Sequence, residues 1–252
     1  MATNYDAKIA ADYANKWLHD SPRRMHLIYH TWQESLGNVK GLRVADLACG
    51  AGATARMLAE KGAKVIGIDL SLYQLEYAKK EEKKHPMGIL YIKGDLRDAA
   101  KLPDVGIFDL VTPTFLFNYA NDANELMSFA KSCAFLLRKG GKMCGITINP
   151  FNPTEKPIDG EGANVEWLKT EEIGKEGGKL NVQLYDEHGQ TIAPFVVHFF
   201  SSKLYEYILQ KAGFTDIRWI RLRMSEAGKA AFPRWKELQD GTSVIVFTAT
   251  KF

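Results

Sequence analysis

Short apolar runs alternate with segments of helical periodicity between residues 43 and 148. The apolar runs predict five strands, at residues 43–47, 64–69, 89–93, 107–112 and 142–148. The segments between them predict helices at residues 52–61, 71–84 and 122–138, with a short helix near 97–101. Strands separated by helices are typical of a parallel sheet with helices packed on its faces. The pattern therefore predicts an α/β fold.

The first 40 residues have the spacing of helices. Apolar side chains recur at helical intervals through residues 9–18 and again through 25–32. Ser21 is a predicted helix cap between the two runs, and Pro22 suits the first position of the second helix. Residues 1–40 therefore predict a helical lid that precedes the first strand.

The alternation of strands and helices stops after residue 148. Residues 149–198 are rich in Gly and Pro, with β-like pieces at 179–186 and 191–199 joined by a turn. We predict that they form an antiparallel insertion over the substrate end of the sheet. One helix and two strands then close the fold, at residues 201–212, 214–223 and 242–251. Residues 41–252 are thus expected to form one domain that contains the insertion.

The most informative chemical pattern is the stretch VADLACGAGAT at residues 44–54. It predicts a strand, an acidic residue at the strand's end, a glycine-rich turn and a helix. Gly50 and Gly52 have no Cβ, so the backbone can turn sharply there and a ligand can lie directly against it. The helix that follows presents unpaired N–H groups to whatever occupies the turn.

Three consecutive predicted strands end in an acidic residue, and each acid suits one part of a single ligand. Asp46 suits a cationic amino-acid group, because a carboxylate would repel the phosphates of a dinucleotide. Asp69 suits the two hydroxyls of a ribose. Asp95 suits an exocyclic amine, with Leu96 flanking the ring. This set describes S-adenosylmethionine better than a nicotinamide dinucleotide.

Two other functions are weighed against this one. The turn from Gly50 to Ala55 also fits the dinucleotide pattern G-x-G-x-x-G/A, which would indicate an NAD(P)-dependent oxidoreductase. That interpretation leaves Asp46 and Asp95 without a role. The third hypothesis is a non-catalytic module that binds S-adenosylmethionine and regulates a partner. The predicted lid and insertion argue against it, because a sensor does not need to exclude water from a second pocket.

At residues 40–150 the chain resembles the class I S-adenosylmethionine-dependent methyltransferases. The resemblance includes the segment FDLVTPTFLFNYA at 108–120 and the segment LRKGGK at 137–142. Tyr13 and its surroundings, together with Asn118-Tyr-Ala120, are similar to the small-molecule branch that includes the toxoflavin-biosynthesis methyltransferase. The chain departs from many members at Ala51 and Ala53, where they have an acidic and an aromatic residue.

The resemblance implies a Rossmann-like, doubly wound sheet of seven strands, the last of them antiparallel. It implies S-adenosylmethionine as cofactor, S-adenosylhomocysteine as product, and methyl transfer to an N or O atom of a small molecule. Tyr13 in the lid is expected to bind the carboxylate of the cofactor. The residues expected to bind the cofactor are Tyr13, Asp46, Ala48, Cys49, Gly50, Gly52, Asp69, Leu70, Asp95, Leu96 and Thr112.

Fewer features of the sequence indicate the acceptor site than the cofactor site. Because the cofactor supplies the electrophile, the protein must chiefly align the acceptor and exclude water. A poor nucleophile would need a general base as well, and His198 is the candidate for that role. The residues expected to contact the acceptor are Asn118, Tyr119, Asn149 and His198. His26 and His30 lack the Glu of a metalloprotease motif, so no metal site is predicted.

Composition limits the partners and the location. The net charge of the 252-residue chain is +3 and no long run of Lys or Arg is present, which argues against nucleic acid and membrane partners. No apolar run reaches about 18 residues, the length of a membrane span. Three cysteines without framework spacing predict free thiols and a cytoplasmic location. The sequence contains no indication of an oligomeric state.

Overall fold

The computed structural model describes residues 22–153, 165–168, 172, 174–185, 191–235 and 242–252. The strands in this part of the chain are β1 (Arg43–Leu47), β2 (Lys64–Asp69), β3 (Leu90–Lys93), β4 (Phe108–Pro113), β5 (Leu137–Ile148), β6 (Val165–Leu168), β7 (Gly178–Tyr185), β8 (Thr191–Phe199), β9 (Phe214–Ile220) and β10 (Val244–Lys251). The α-helices are α1 (His30–Leu36), α2 (Ala53–Glu60), α3 (Leu72–Lys84), α4 (Ala123–Leu136), α5 (Ser202–Lys211) and α6 (Glu226–Ala231). A π-helical segment, Arg24–Tyr29, leads into α1, and 3₁₀ turns lie at Ala99–Lys101, Phe117–Tyr119 and Pro233–Trp235.

Seven strands form one sheet in the order β3-β2-β1-β4-β5-β10-β9. Strands β1 to β5 pair in parallel, whereas β10 is antiparallel to both of its neighbours. The predicted Rossmann-like sheet with an antiparallel last strand is confirmed. The strand order reverses at β1, between β2 and β4, and ligands of such sheets bind at the carboxyl ends of the strands beside this point.

Helices cover both faces of the seven-stranded sheet. Leu47 of β1 lies in one apolar core with Phe129 of α4. Val44 of the same strand lies in a second core with Trp32 of α1 and Leu58 of α2. Side chains three positions apart on a strand point to opposite faces, so a single strand contributes to both cores. The sheet is therefore doubly wound, as predicted.

The predicted elements from β1 to α4 agree with the structure to within about two residues at each end. Strand β5 begins at Leu137, earlier than predicted, because the chain already pairs with Phe108 there. The pairing register then shifts before Lys142, across Gly140, which has a φ of +72°. Strand β9 ends at Ile220, where its pairing with β10 ends.

The insertion forms a second, antiparallel sheet in the order β6-β7-β8. Its β7–β8 pair corresponds to the two predicted β-like pieces. The second of the two predicted N-terminal helices is confirmed and is helical from Pro22 to Leu36, whereas the first lies outside the described residues. The role of this segment as a lid stays a prediction. No helix in the described part of the chain combines the length and the apolar character needed to cross a membrane.

Candidate functional site

The turn between β1 and α2 has an unusual backbone. Ala48, Gly50 and Gly52 all have positive φ angles, of 59°, 53° and 89°. Such angles are costly for a residue with a Cβ. Ala48 is therefore strained, and contacts with the surrounding structure must stabilise its conformation. A Cβ at Gly52 would overlap the hydroxyl of Tyr91, which packs beneath the turn. The turn therefore requires glycine at position 52 for space as well as for conformation.

Asp69, at the end of β2, is held by the backbone of two neighbouring segments. The N–H of Gly50 donates to Oδ2 and the N–H of Ser71 donates to Oδ1, each at 2.8 Å. Burial raises the pKa of Asp69, and these two N–H groups and that of Leu70 lower it. The oriented carboxylate keeps lone pairs free to accept hydrogen bonds from a ligand.

Two adjoining cavities meet at Asp69. One has a volume of about 360 Å³ and the other about 90 Å³. Both are lined by Ala48, Asp69 and Tyr119. The larger cavity is also lined by three residues predicted to bind the cofactor, Leu70, Asp95 and Leu96. Tyr73, Arg97 and Phe129, which were not predicted, line it as well. The smaller cavity is also lined by Arg24, Tyr29, Cys49, Gly50, Gln74 and Phe115. One elongated ligand can therefore extend past Asp69 from one cavity into the other.

Asp95 lies on the wall of the larger cavity and is paired with Arg97. The Nε of Arg97 donates to Oδ1 at 2.9 Å, and its backbone N–H donates to the same oxygen at 2.9 Å. These bonds lower the pKa of Asp95. Arg97 also lies 3.6 Å from Glu125, another residue of this wall. The acid is ionised at neutral pH and shares its lone pairs between Arg97 and the cavity.

Asp46 is fully buried and lines neither of the two cavities. Thr54 donates to its Oδ2 at 2.7 Å and Thr112 donates to its Oδ1 at 2.8 Å. Burial raises the pKa of Asp46 to about 7; the two threonine bonds lower it and the charge of Asp69 raises it. The carboxyl group ties β1 to β4 and to the start of α2. The contacts of Asp46 and Thr112 with the cofactor stay predictions.

The smaller cavity contains a positive charge that the sequence interpretation missed. Arg24 is buried, and its Nη1 donates to the hydroxyl of Tyr29 at 3.2 Å. Its guanidinium carbon lies 5.5 Å from the ring centre of Phe115, a residue with a φ of 59°. The available signal was a basic residue within an apolar helical run. Tyr13, predicted for the same end of the cofactor, lies outside the described residues.

The predicted acceptor residues occupy different places. Tyr119 lines both cavities. Asn118 is buried, and its Oδ1 accepts no hydrogen bond from the described residues. Asn149 holds the chain that leaves β5: its Nδ2 donates to the carbonyl of Thr242 at 2.7 Å and its Oδ1 accepts from the N–H of Phe151 at 3.0 Å. The structure therefore brings Tyr119, but neither Asn118 nor Asn149, to the walls of the two cavities.

His198 lies on β8, opposite Lys179 of β7. It is buried, and its Nδ1 has no hydrogen-bond partner among the described residues. Burial and the charge of Lys179 lower the pKa of His198, so the imidazole is neutral at neutral pH. Strand β8 contacts the turn Phe117–Tyr119, which places His198 on a strand adjacent to the segment that contains Tyr119.

The glycine turn is not arranged to bind a pyrophosphate. In dinucleotide sites, the backbone N–H groups of this turn point at the phosphates. Here the N–H of Gly50 donates to the Asp69 carboxylate at 2.8 Å, and the N–H of Gly52 donates to the carbonyl of Cys49 at 2.9 Å. These two N–H groups, on which the NAD(P) interpretation relies, are therefore engaged by protein oxygens. A nucleoside with a charged amino-acid end fits the residues better, because carboxylates, a guanidinium and apolar side chains line the cavities.

Comparison with known proteins agrees with this geometry. Residues 45–145 match the family model described as a methyltransferase domain. A ubiquinone biosynthesis O-methyltransferase of Coxiella burnetii is 31% identical over 144 residues, which are 55% of this chain and 59% of that protein. The protein of the same description in Vibrio parahaemolyticus is 30% identical over 116 residues, 46% of this chain and 48% of the other. The chain thus spans roughly half the length of these curated relatives.

Solved structures extend the similarity to nearly the whole chain. An S-adenosylmethionine-dependent methyltransferase from Mesorhizobium loti aligns over 93% of this chain and 100% of that one, with a TM-score of 0.62 and 23% identity. CalS10, an amino pentose methyltransferase from Micromonospora echinaspora solved with S-adenosylmethionine bound, aligns over 96% and 95%, with a TM-score of 0.55 and 20% identity. At these identities the comparison shows the class I methyltransferase fold.

Proposed function

We propose, from the match of residues 45–145 to the methyltransferase-domain model, that the protein transfers a methyl group from S-adenosylmethionine to a small molecule. The observation that carries the proposal is the pair of cavities that meet at the oriented carboxylate of Asp69. The similarity to two O-methyltransferases of ubiquinone biosynthesis supports oxygen as the atom that is methylated.

Three sets of described residues would bind three different parts of the cofactor. Asp69 would accept hydrogen bonds from the ribose hydroxyls, since its oxygens are fixed at the junction of the cavities. Asp95 and Leu96 would hold the adenine in the larger cavity. The guanidinium of Arg24 would hold the carboxylate in the smaller one, because a guanidinium donates charge-assisted hydrogen bonds to a carboxylate. When bound, S-adenosylmethionine supplies a methyl group on a positively charged sulfur.

The chain's own contribution to the transfer is to position the acceptor and exclude water. Tyr119, like Asp69, lines both cavities, and an acceptor would be oriented from there. The neutral imidazole of His198, on the strand that contacts the turn Phe117–Tyr119, is the candidate to take the proton of a hydroxyl acceptor. A contact of Asn118 with the acceptor stays a prediction. An acidic hydroxyl would react with positioning alone.

We extend the proposal to location and partners. The three cysteines of the chain are buried free thiols, which supports a cytoplasmic location. The small net charge of +3 supports a small molecule over a nucleic acid as acceptor. The finer assignment to the branch of the toxoflavin-biosynthesis methyltransferase remains a prediction from the resemblance.

A thermal-shift comparison tests the cofactor. Ligands that bind the folded state raise its apparent stability, by about 2.7 kcal/mol at a concentration of 100 times the Kd. We expect S-adenosylmethionine and S-adenosylhomocysteine to raise the Tm, and NADH and NADPH to leave it unchanged. Transfer of labelled methyl groups to a panel of phenols and matched amines then tests the acceptor. A shift with NADPH alone would replace the proposal with hydride transfer, and tight adenosyl binding without transfer to any acceptor would favour the regulatory module.

A further inference from the structure

Gln74 is a buried amide on the wall of the smaller cavity. It is the third residue of α3 and its exposed fraction is 2%. Neither its Oε1 nor its Nε2 has a hydrogen-bond partner among the described residues. Its Oε1 lies 3.7 Å from the position that a Cβ on Gly50 would occupy, so the amide lies against the glycine turn. Burial of an unpaired amide costs folding free energy, which indicates that a ligand satisfies it.

The local helix geometry explains why this amide is free. Ser71 caps α3, and its Oγ accepts from the backbone N–H of Gln74 at 3.3 Å. In a capping box, the glutamine at this position reaches back to the N–H of the capping residue. Here the N–H of Ser71 donates to Asp69 at 2.8 Å. The carboxylate that is oriented for the ribose thus displaces Gln74 from its usual partner and leaves the side chain to the cavity.

We propose that Gln74 binds the amino-acid end of the cofactor with both atoms of its amide. Oε1 accepts from the ammonium group, and Nε2 donates to the carboxylate beside Arg24. The inference rests on the proposed function and adds a residue to it. Gln74 lines only the smaller cavity, whereas Asp95 and Leu96 line only the larger one. A neutral amide satisfies both charges of this end without adding a further negative charge next to Asp69.

A ligand truncation experiment separates this role from the others. The probes are S-adenosylhomocysteine and 5′-methylthioadenosine, which has the adenosine and the sulfur but lacks the amino-acid end. We expect Gln74→Leu to weaken binding of S-adenosylhomocysteine by about 10- to 100-fold in calorimetric titration, the range for hydrogen bonds to charged groups. The affinity for 5′-methylthioadenosine should stay within about 2-fold of the wild-type value.

Two further variants and the ligand-free protein serve as controls. Gln74→Leu removes an unpaired buried amide, so the Tm of the ligand-free variant should equal or exceed that of the wild type. Gln74→Glu, which has the same shape, should also weaken binding of S-adenosylhomocysteine selectively, because the negative charge of the new side chain repels the carboxylate of the ligand. Gln210→Leu makes the same change at an exposed position of α5 and should alter neither affinity.

The outcomes distinguish this inference from the proposed function. Wild-type protein that binds neither probe would refute the methyltransferase function itself. If the wild type binds both probes and Gln74→Leu weakens both equally, Gln74 supports the site as a whole and the inference is wrong. Unchanged affinity for both probes, or a lowered Tm of the ligand-free variant with no selective loss, would also overturn it.

Discussion

At the scale of single residues, two acids on neighbouring strands share a raised pKa but have different surroundings. Asp46 is enclosed by the hydroxyls of Thr54 and Thr112, away from both cavities. Asp69 is held by backbone N–H groups and lines both of them. The first arrangement stabilises the junction of β1, β4 and α2, and the second presents an acceptor to a ligand. Each acid therefore has its own test.

Asp46 makes the stability of the protein depend on pH. Its pKa is about 7 in the folded state and 3.8 for an ordinary aspartate carboxyl, so between about pH 4 and pH 7 the folded state binds more protons than the unfolded one. This group therefore makes stability fall as pH rises through that window, by at most about 1.4 kcal/mol per pH unit. Asp46→Asn cannot ionise, so its stability relative to the wild type should rise from pH 5 to pH 8. Urea unfolding at both pH values measures this difference, and parallel profiles would show that Asp46 does not titrate there.

Asp69→Ala should weaken binding of S-adenosylhomocysteine by about 1.5–3 kcal/mol, because the acceptor for two ribose hydroxyls is lost. Calorimetric titration measures the loss. Asp104→Ala is the matched control, since Asp104 is an exposed acid that lines neither cavity. Equal affinities for the wild type and Asp69→Ala would refute the ribose assignment.

The positions of these residues could be predicted from the sequence, whereas the directions of their side chains could not. Parallel strands end at one edge of a sheet, so the acids at or just after the ends of β1, β2 and β3 could be assigned to that edge from the pattern alone. The direction of Asp46 depends on Thr112, which is far away in sequence and pairs with it only across the sheet. Gln74 became free because Asp69 takes the N–H of Ser71, a competition that no spacing pattern contains.

At the scale of elements, the turn between β1 and α2 depends on what packs beneath it. The ring of Tyr91 of β3 lies below Gly52. It also fills the space that a Cβ on Gly67 of β2 would need. The sequence predicted glycine at this turn for the approach of a ligand. The structure adds a second reason, since the space on the other side of the turn is filled by a tyrosine ring. The short helix α6 and the turn Phe117–Tyr119 were not predicted, because so few residues show no periodicity.

Gly52→Ala should destabilise the fold through two separate effects. One is the backbone cost of a φ of +89°, and the other is the overlap of the new Cβ with Tyr91. Gly88→Ala isolates the first effect, because Gly88 has a φ of +78° and a Cβ there would have no atom within 4 Å. We expect a loss of about 1 kcal/mol at Gly88 and about 2–4 kcal/mol at Gly52, measured by urea unfolding. Equal losses would mean that Tyr91 moves aside without cost.

At the scale of the whole molecule, the site lies where separate parts of the chain meet on one sheet. The N-terminal helix supplies Arg24 and Tyr29, and the strand ends supply Asp69 and Asp95. The sequence predicted the sheet and its helices because alternation of strands and helices is a local pattern. It did not predict how the N-terminal helix docks, because that depends on contacts between residues more than 100 positions apart, such as the bond from Trp32 Nε1 to the carbonyl of Cys144 at 3.1 Å.

Trp32 therefore couples the stability of the fold to the smaller cavity. It is fully buried in the core between α1, α2 and the sheet, and it follows the helical segment that contains Arg24 and Tyr29. Trp32→Ala should lower the free energy of unfolding by about 3–5 kcal/mol. It should also weaken binding of S-adenosylhomocysteine more than binding of 5′-methylthioadenosine. The displaced helix contains Arg24, whose guanidinium is proposed to bind the amino-acid end.

Two variants make this test specific. Trp32→Phe keeps an aromatic ring in the core but loses the rest of the indole and its hydrogen bond to Cys144, so it should cost less than Trp32→Ala, about 1–3 kcal/mol, and leave the preference between the two ligands intact. Phe135→Ala removes an aromatic ring that is 56% exposed on α4, and should change both stability and binding little. If Trp32→Ala weakened both ligands to the same extent, the N-terminal helix would support the sheet without reaching the amino-acid end of the cofactor. A selective loss would show instead that docking of this helix completes the cofactor site.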